Sequence, residues 1–199
     1  ETLTSALTGA RMVTQHGAGA GAGASPSCDE VRLRPALCEL ARGLHALHSA
    51  GRVHRDIKPS NVLCTEAGRV VILDFGLAAD INETRRDSEE IIGTPAYMAP
   101  EHVRGGPVDG RVDLWSLGVV LYELLAGRRP FTGSNLDELT TAILGSDPVP
   151  IENVASHIPA PLAAVVDRAL RKRPDDRYQS GRELAADLAA AVGSARFPR

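Results

Sequence analysis

Apolar residues recur at helical spacing in the middle of the chain and again through its C-terminal half. From Pro35, which suits a first helical turn, to the stop signal Gly51, six apolar residues fall on one helical face: Ala36, Leu37, Leu40, Ala41, Leu44 and Leu47. Residues 114–125 are apolar at nearly every position, which predicts a helix buried on all sides. Further helices are predicted at residues 135–144, 162–170 and 184–192.

Two short apolar runs predict the β-structure of the chain. Residues 62–64 and 70–73 are rich in β-branched and aliphatic side chains, and a turn sequence with Gly68 separates them. This pattern predicts one small hairpin. The fold expected from the whole pattern is therefore α+β, a mainly helical lobe with a single hairpin.

One stretch has a composition that opposes ordered packing. Residues 16–28 contain an alternating Gly-Ala run followed by Ser-Pro-Ser, and such a segment has little apolar surface to bury. We interpret it as a low-complexity insertion, with an ordered turn against the lobe as the alternative. The remainder of residues 1–199 is expected to form one domain.

Composition and charge exclude several classes of function. The 199 residues are 43% apolar and 24% charged, as in ordinary globular proteins, and their net charge of −3 provides no broad positive field for nucleic acid or an anionic membrane. Cys28, Cys38 and Cys64 fit neither a zinc site nor a disulfide framework, which favours a reducing cytoplasm. No apolar run is long enough to cross a bilayer.

Candidate chemistry lies on both sides of the predicted hairpin. Residues 54–61 read His-Arg-Asp-Ile-Lys-Pro-Ser-Asn, and residues 74–76 read Asp-Phe-Gly. They place two carboxylates, an ammonium and a carboxamide within about twenty residues, which is the set that phosphoryl transfer with Mg²⁺ requires. Asp56 alone could be an aspartate of a surface turn, and Lys58 alone could simply face water. Their occurrence together favours a catalytic site.

With Ala99-Pro100-Glu101, these segments resemble the signature motifs of the protein kinase family. Lys58, two residues after Asp56, and the Gly-Thr-Pro-Ala-Tyr run at 93–97 are similar to its serine/threonine branch. Residues 128–131 and 173–178 resemble bacterial members. The resemblance covers nearly the whole chain except the insertion, and it implies the large lobe of a kinase catalytic domain.

The resemblance assigns roles at the reacting centre, with ATP and Mg²⁺ as the implied cofactors. Asp56 would accept the proton of the attacking hydroxyl, and Lys58 would stabilise charge on the transferring phosphoryl group. Asn61 and Asp74 would bind Mg²⁺, and Leu63 would lie beneath the adenine.

The resemblance also assigns structural and regulatory roles around this centre. It implies that His54 and Phe75 pack together above Asp113, that Gly76 completes the Asp-Phe-Gly motif, and that Asp113 holds the loop at 54–61. By local rules alone Asp113 would be an ordinary helix N-cap, and the resemblance adds the second role of holding the loop. A buried ion pair is implied between Glu101 and Arg177.

Residues 77–98 correspond to the activation segment of the family. A buried Arg55 would need an anion, and we expect a phosphate on Thr84 or Ser88 to supply it. Thr94 is expected to lie beside Asp56 and Lys58. His45 and His48 could form a metal pair by their spacing, but no third ligand lies nearby, and they are given no function.

Two motifs of the family do not occur among the 199 residues: the Gly-x-Gly-x-x-Gly loop and the Val-Ala-x-Lys strand. We therefore expect the small lobe of the same polypeptide, which would carry them, to be missing from this chain, and we expect the chain alone to be inactive. The favoured function is a serine/threonine protein kinase that acts on hydroxyls of a protein substrate. The alternative is a non-catalytic, kinase-like interaction module.

Overall fold

The structure, a computed structural model, describes residues 30–65, 69–73, 79–80 and 95–193. The predicted insertion at 16–28 lies outside these ranges. The described helices are α1 Glu30–Ser49, α2 Pro100–Val103, α3 Arg111–Ala126, α4 Leu136–Gly145, α5 Ile151–Val154, α6 Ala160–Ala169 and α7 Gly181–Gly193. The described strands are β1 Arg52–Val53, β2 Val62–Cys64, β3 Val70–Ile72 and β4 Ala79–Asp80. Short 3₁₀ turns occupy Pro59–Asn61, Pro95–Tyr97 and Pro174–Asp176.

Helix α3 forms the centre of the lobe, as its sequence predicts. Thirteen of its 16 residues are buried, so almost no face of the helix reaches solvent. The ring of Trp115 stacks on Phe131 with 5.6 Å between centroids. Helices α1 and α6 pack against α3. Helix α3 therefore provides a rigid support for the segments that contact its N-terminal end.

Helix α1 begins earlier than predicted. The start expected at Pro35 is wrong, because the helix runs from Glu30 and carries this proline inside it. Residues 30–34 contain no helix breaker, and the lost hydrogen bond at Pro35 is offset by burial of Leu40 and Leu44 in the core. At the other end Gly51 adopts a φ of 74°, which ends the helix where the sequence predicts.

The predicted hairpin is confirmed, and a second strand pair accompanies it. Strands β2 and β3 pair antiparallel with Leu63 opposite Val71. Strands β1 and β4 also pair antiparallel, with Val53 opposite Ala79. The sequence does not predict the second pair, because strands of two residues are too short to show alternation.

No helix in the described part of the chain is long and apolar enough to cross a bilayer.

Candidate active site

The loop that carries the candidate catalytic residues is held from below by Asp113. The backbone N–H groups of His54 and Arg55 donate to its two carboxylate oxygens, each over 2.8 Å. Asp113 is fully buried in the first turn of α3. The N-cap role suggested by local rules is wrong, since Gly110 occupies the N-cap and the Asp113 side chain binds the loop instead. This is the contact that the family resemblance implies.

The backbone of the loop is strained at Arg55. Its φ is 67°, the left-handed region that a residue with a Cβ seldom adopts. The backbone N–H groups of Arg55 and of the preceding residue donate charge-assisted hydrogen bonds to the Asp113 carboxylate, and these two bonds hold the conformation. The strained residue therefore immediately precedes Asp56, and its backbone conformation sets the orientation of Asp56.

His54 links the loop to the hairpin. Its Nδ1 accepts the backbone N–H of Asp56 over 3.3 Å, so the ring hydrogen lies on Nε2, which donates to the carbonyl of Leu73 over 2.9 Å. The ring is fully buried. Its proposed partner Phe75 lies outside the described residues.

Asp56, Lys58 and Asn61 converge on one carboxylate oxygen. Lys58 Nζ donates to Asp56 Oδ2 over 2.7 Å, and Asn61 Nδ2 donates to the same oxygen over 2.9 Å. Asn61 Nδ2 also binds the Asp56 carbonyl over 2.9 Å. Asp56 Oδ1 has no hydrogen bond to a described residue, so this oxygen is available to an incoming hydroxyl.

The 3₁₀ turn Pro59–Asn61 and the hairpin fix the position of Asn61. Pro59 begins the turn, and the carbonyl of Asn61 accepts the N–H of Leu73 over 2.8 Å. Both side-chain hydrogen bonds of Asn61 use its nitrogen, which leaves Oδ1 as a hard oxygen ligand of the kind Mg²⁺ prefers. Among the described residues no cluster of three His, Cys, Asp or Glu could hold a metal by itself.

One face of the hairpin presents apolar side chains next to this site. Leu63 and Val71 are paired across the strands, and Leu73 follows two residues later on the same face. Val71 and Leu73 are each 38% exposed. Val62 and Cys64 point to the other face and are buried. The exposed face could take a flat apolar group.

Glu101 and Arg177 form the buried ion pair that the resemblance implies. The guanidinium donates from both terminal nitrogens to the two carboxylate oxygens, each over 2.7 Å. It also binds the carbonyls of Arg171 and Lys172, and it stacks over the Trp115 ring at 4.8 Å. All of its charge is thus compensated inside the lobe, and the pair joins α2 to the segment before α7.

Arg55 lacks such compensation among the described residues. Its Nε is buried and has no hydrogen-bond partner there. Burial and the nearby Arg55 guanidinium lower the pKa of His102. The positive charge of Arg55 therefore disfavours protonation of the neighbouring His102.

Six of the predicted site residues lie outside the described ranges: Asp74, Phe75, Gly76, Thr84, Ser88 and Thr94. Their predicted roles remain predictions.

Sequence reasoning missed His48. Its Nε2 lies 2.7 Å from Asp113 Oδ2, the same oxygen that accepts the N–H of His54. Gly110 makes room for the ring, because a Cβ at that position would lie 2.6 Å from His48 Nδ1. The two partners are 65 positions apart in the sequence, His48 on α1 and Asp113 on α3. The contact is therefore visible only once the two helices are packed together.

Comparisons with known proteins agree with this geometry. Residues 22–187 match the family model described as a protein kinase domain. The chain is 39% identical over 155 residues to the serine/threonine-protein kinase PknB of Mycobacterium tuberculosis, covering 76% of this chain and 25% of the relative. It is 38% identical over 159 residues to a protein of Corynebacterium glutamicum named probable serine/threonine-protein kinase PknB, again covering 76% and 25%. The chain thus spans about a quarter of the length of these curated relatives.

Proposed function

The chain belongs to the protein kinase family, in its bacterial serine/threonine branch, and on that premise we propose that it transfers the γ-phosphate of Mg·ATP to a serine or threonine hydroxyl of a protein. The observation that carries the proposal is the convergence of Lys58 and Asn61 on the Asp56 carboxylate. Three such groups, held on a loop that Asp113 fixes, provide the preorganisation on which phosphoryl transfer depends.

Asp56 would act on the attacking hydroxyl. With Oδ2 bound by two donors, Oδ1 faces the hydroxyl as acceptor, orients its oxygen towards phosphorus and takes its proton. The side chain is only 12% exposed, so few water molecules compete for that oxygen. Positioning contributes most of the effect, because the transition state is loose.

Lys58 would stabilise the charge that develops on the transferred group. Its ammonium is held at 2.7 Å from Asp56, so it lies beside the hydroxyl that Asp56 binds. A fixed point charge there needs no reorganisation when the phosphoryl group moves.

Asn61 and Asp74 would hold the Mg²⁺ of Mg·ATP. The oxygen donor of Asn61 fits this ion, which usually takes only one or two protein ligands and fills the rest with water and phosphate. When bound, the ion would neutralise charge on the phosphates. The exposed face of Leu63 and Val71 would support the adenine.

Other parts of the site are proposed to come from a small lobe of the same polypeptide. The sequence of 199 residues has no Gly-x-Gly-x-x-Gly loop to cover the phosphates. We expect this chain alone to bind Mg·ATP weakly and to turn over very slowly, since several donors to the phosphates are lost together.

A phosphotransfer assay tests the proposal. The polypeptide that includes the small lobe is incubated with γ-labelled ATP and Mg²⁺, followed by phosphoamino-acid analysis. The expected result is label on serine or threonine that disappears when a chelator removes Mg²⁺. Nucleotide and partner binding without any labelled residue would favour the interaction module instead.

A further inference from the structure

Helix α1 contacts the outer edge of the hairpin through Glu39. Its carboxylate oxygen Oε2 accepts the backbone N–H of Val70, the first residue of β3, over 2.8 Å. Four residues further along α1, Gly43 lies against the hairpin, and a Cβ at this position would lie 3.4 Å from Ile72 Cδ1. Because residues four apart share a face of a helix, one face of α1 contacts β3 at two points.

The register of the hairpin explains why Val70 needs a partner outside the sheet. Val70 lies opposite Cys64, and the next ladder hydrogen bond runs from the N–H of Thr65 to the carbonyl of Arg69 over 2.9 Å. Ladder hydrogen bonds alternate along an antiparallel strand, so the N–H of Val70 points away from β2. Among the described strands β3 pairs only with β2. Glu39 is therefore the group that satisfies this donor.

Strand β3 leads to the groups that are proposed to bind the nucleotide. Val71 is opposite Leu63 on the exposed apolar face of the hairpin. The N–H of Leu73 binds the carbonyl of Asn61 over 2.8 Å, and Asp74 is the next residue in the sequence. A displacement of β3 from α1 would thus disturb the support for the adenine and the ligands proposed for Mg²⁺.

The loop that carries Asp56 has a separate support. Asp113 on α3 accepts the backbone N–H groups of His54 and Arg55, which immediately precede Asp56. The proposed base is thus held from α3, whereas the hairpin is held from α1. A change at the contact between α1 and β3 should therefore affect nucleotide binding more than the chemical step.

We propose that Glu39 is a positioning residue for Mg·ATP, an inference that rests on the proposed function. By accepting the N–H of Val70, it fixes β3, and with it the apolar face and the segment before Asp74, against α1. Glu39 touches neither the nucleotide nor the reacting atoms in this proposal. The essential feature is an oxygen acceptor of the right reach, because a backbone N–H requires an acceptor rather than a charge.

Glu39→Met and Glu39→Gln form a matched pair of variants. Both keep the length and the helix propensity of glutamate, but only glutamine retains a side-chain oxygen acceptor. In the polypeptide that includes the small lobe, calorimetry measures Mg·ATP affinity, steady-state kinetics separates KM from kcat, and hydrogen exchange follows residues 62–73.

The two variants should differ clearly. We expect Glu39→Met to weaken Mg·ATP binding and to raise KM for ATP by about 10-fold, to lower kcat by less than about 3-fold, and to speed exchange in the hairpin. Glu39→Gln should stay within about 3-fold of the wild type in each measurement.

Leu162→Ala is the control for a general loss of stability. Its side chain is buried in the core on α6, which packs against α3 and α7. This variant should lower the urea midpoint and leave Mg·ATP affinity unchanged.

Two results would overturn the role of Glu39: Mg·ATP binding by Glu39→Met as tight as that of the wild type, or a loss in Glu39→Gln as large as that in Glu39→Met. Absence of phosphotransfer by the wild type would instead contradict the proposed function. Calorimetry and hydrogen exchange would still decide the role of Glu39.

Discussion

The imidazole of His48 lies 2.7 Å from the carboxylate of Asp113, and that carboxylate holds the strained backbone before Asp56. A histidine on α1 thereby supports the candidate catalytic loop through Asp113. The contact also explains why Gly110 lacks a side chain, since a Cβ there would occupy the space of the imidazole.

His48→Ala is expected to lower the free energy of unfolding by about 1–3 kcal/mol, because it leaves a fully buried carboxylate with one hydrogen bond fewer. Urea unfolding measures the change. His45→Ala is the control on the same helix, since its ring has no hydrogen bond to a described residue. Gly110→Ala should have little further effect once His48 is alanine, whereas additive losses would contradict the link between the two positions.

Glu101→Ala is expected to be among the most destabilising changes in the lobe. It leaves the Arg177 guanidinium, which has no exposed side-chain surface, without its carboxylate, at a cost of about 3–5 kcal/mol. The control is Arg173→Ala in the pair with Asp176, whose side chains are 77% and 57% exposed and whose loss should cost at most about 1 kcal/mol. Comparable midpoints in urea for the two variants would contradict the account.

Burial lowers the pKa of Lys172 to about 8, which predicts how stability changes with pH. Below pH 8 the amine is protonated in the folded and unfolded states, so the burial penalty on the ammonium is present in full. Between pH 8 and the ordinary value of 10.5 the folded chain releases this proton first, and the penalty is relieved as pH rises.

Lys172→Met removes the titrating group and keeps most of the volume. Relative to this variant, the free energy of unfolding of the wild type should rise by about 1–2 kcal/mol between pH 7 and 10. This energy already includes a reduction for solvent screening. Urea unfolding across this pH range measures the difference. A constant difference, or a loss, would contradict the assigned shift.

The Nε of Arg55 has no hydrogen-bond partner among the described residues, which predicts a phosphate in the segment at 77–98, with Thr84 or Ser88 as the acceptor. Mass spectrometry of active protein should find this phosphate, and the double change Thr84→Ala, Ser88→Ala should reduce the phosphotransfer rate. Thr141→Ala, at an exposed site on α4, is the control. The prediction fails if the active form carries no phosphate there and the double variant keeps full activity.

The features that sequence reasoning predicts best are those formed by residues close together in the sequence. Asp56, Lys58 and Asn61 are separated by five positions or fewer, so one loop brings them together whatever surrounds it. Helix α3 is equally visible, because burial on all sides leaves an unbroken apolar run.

Contacts between distant elements are less accessible to sequence reasoning. The N-cap rule fails at Asp113 because tertiary contacts from α1 and the loop outweigh a local preference. The β1–β4 pair and the contact of His48 depend on where whole helices and strands pack, which no periodicity encodes.

The Asp56→Asn variant tests the central claim most directly. In the polypeptide that includes the small lobe, the variant keeps the shape of the side chain and removes the proton acceptor. The account predicts a phosphotransfer rate lowered by about 10²-fold or more, with nucleotide binding and urea midpoint close to wild type. Asp137→Asn, at an exposed position, should keep full activity. Turnover by Asp56→Asn close to that of the wild type would contradict the assignment of Asp56 as the catalytic base.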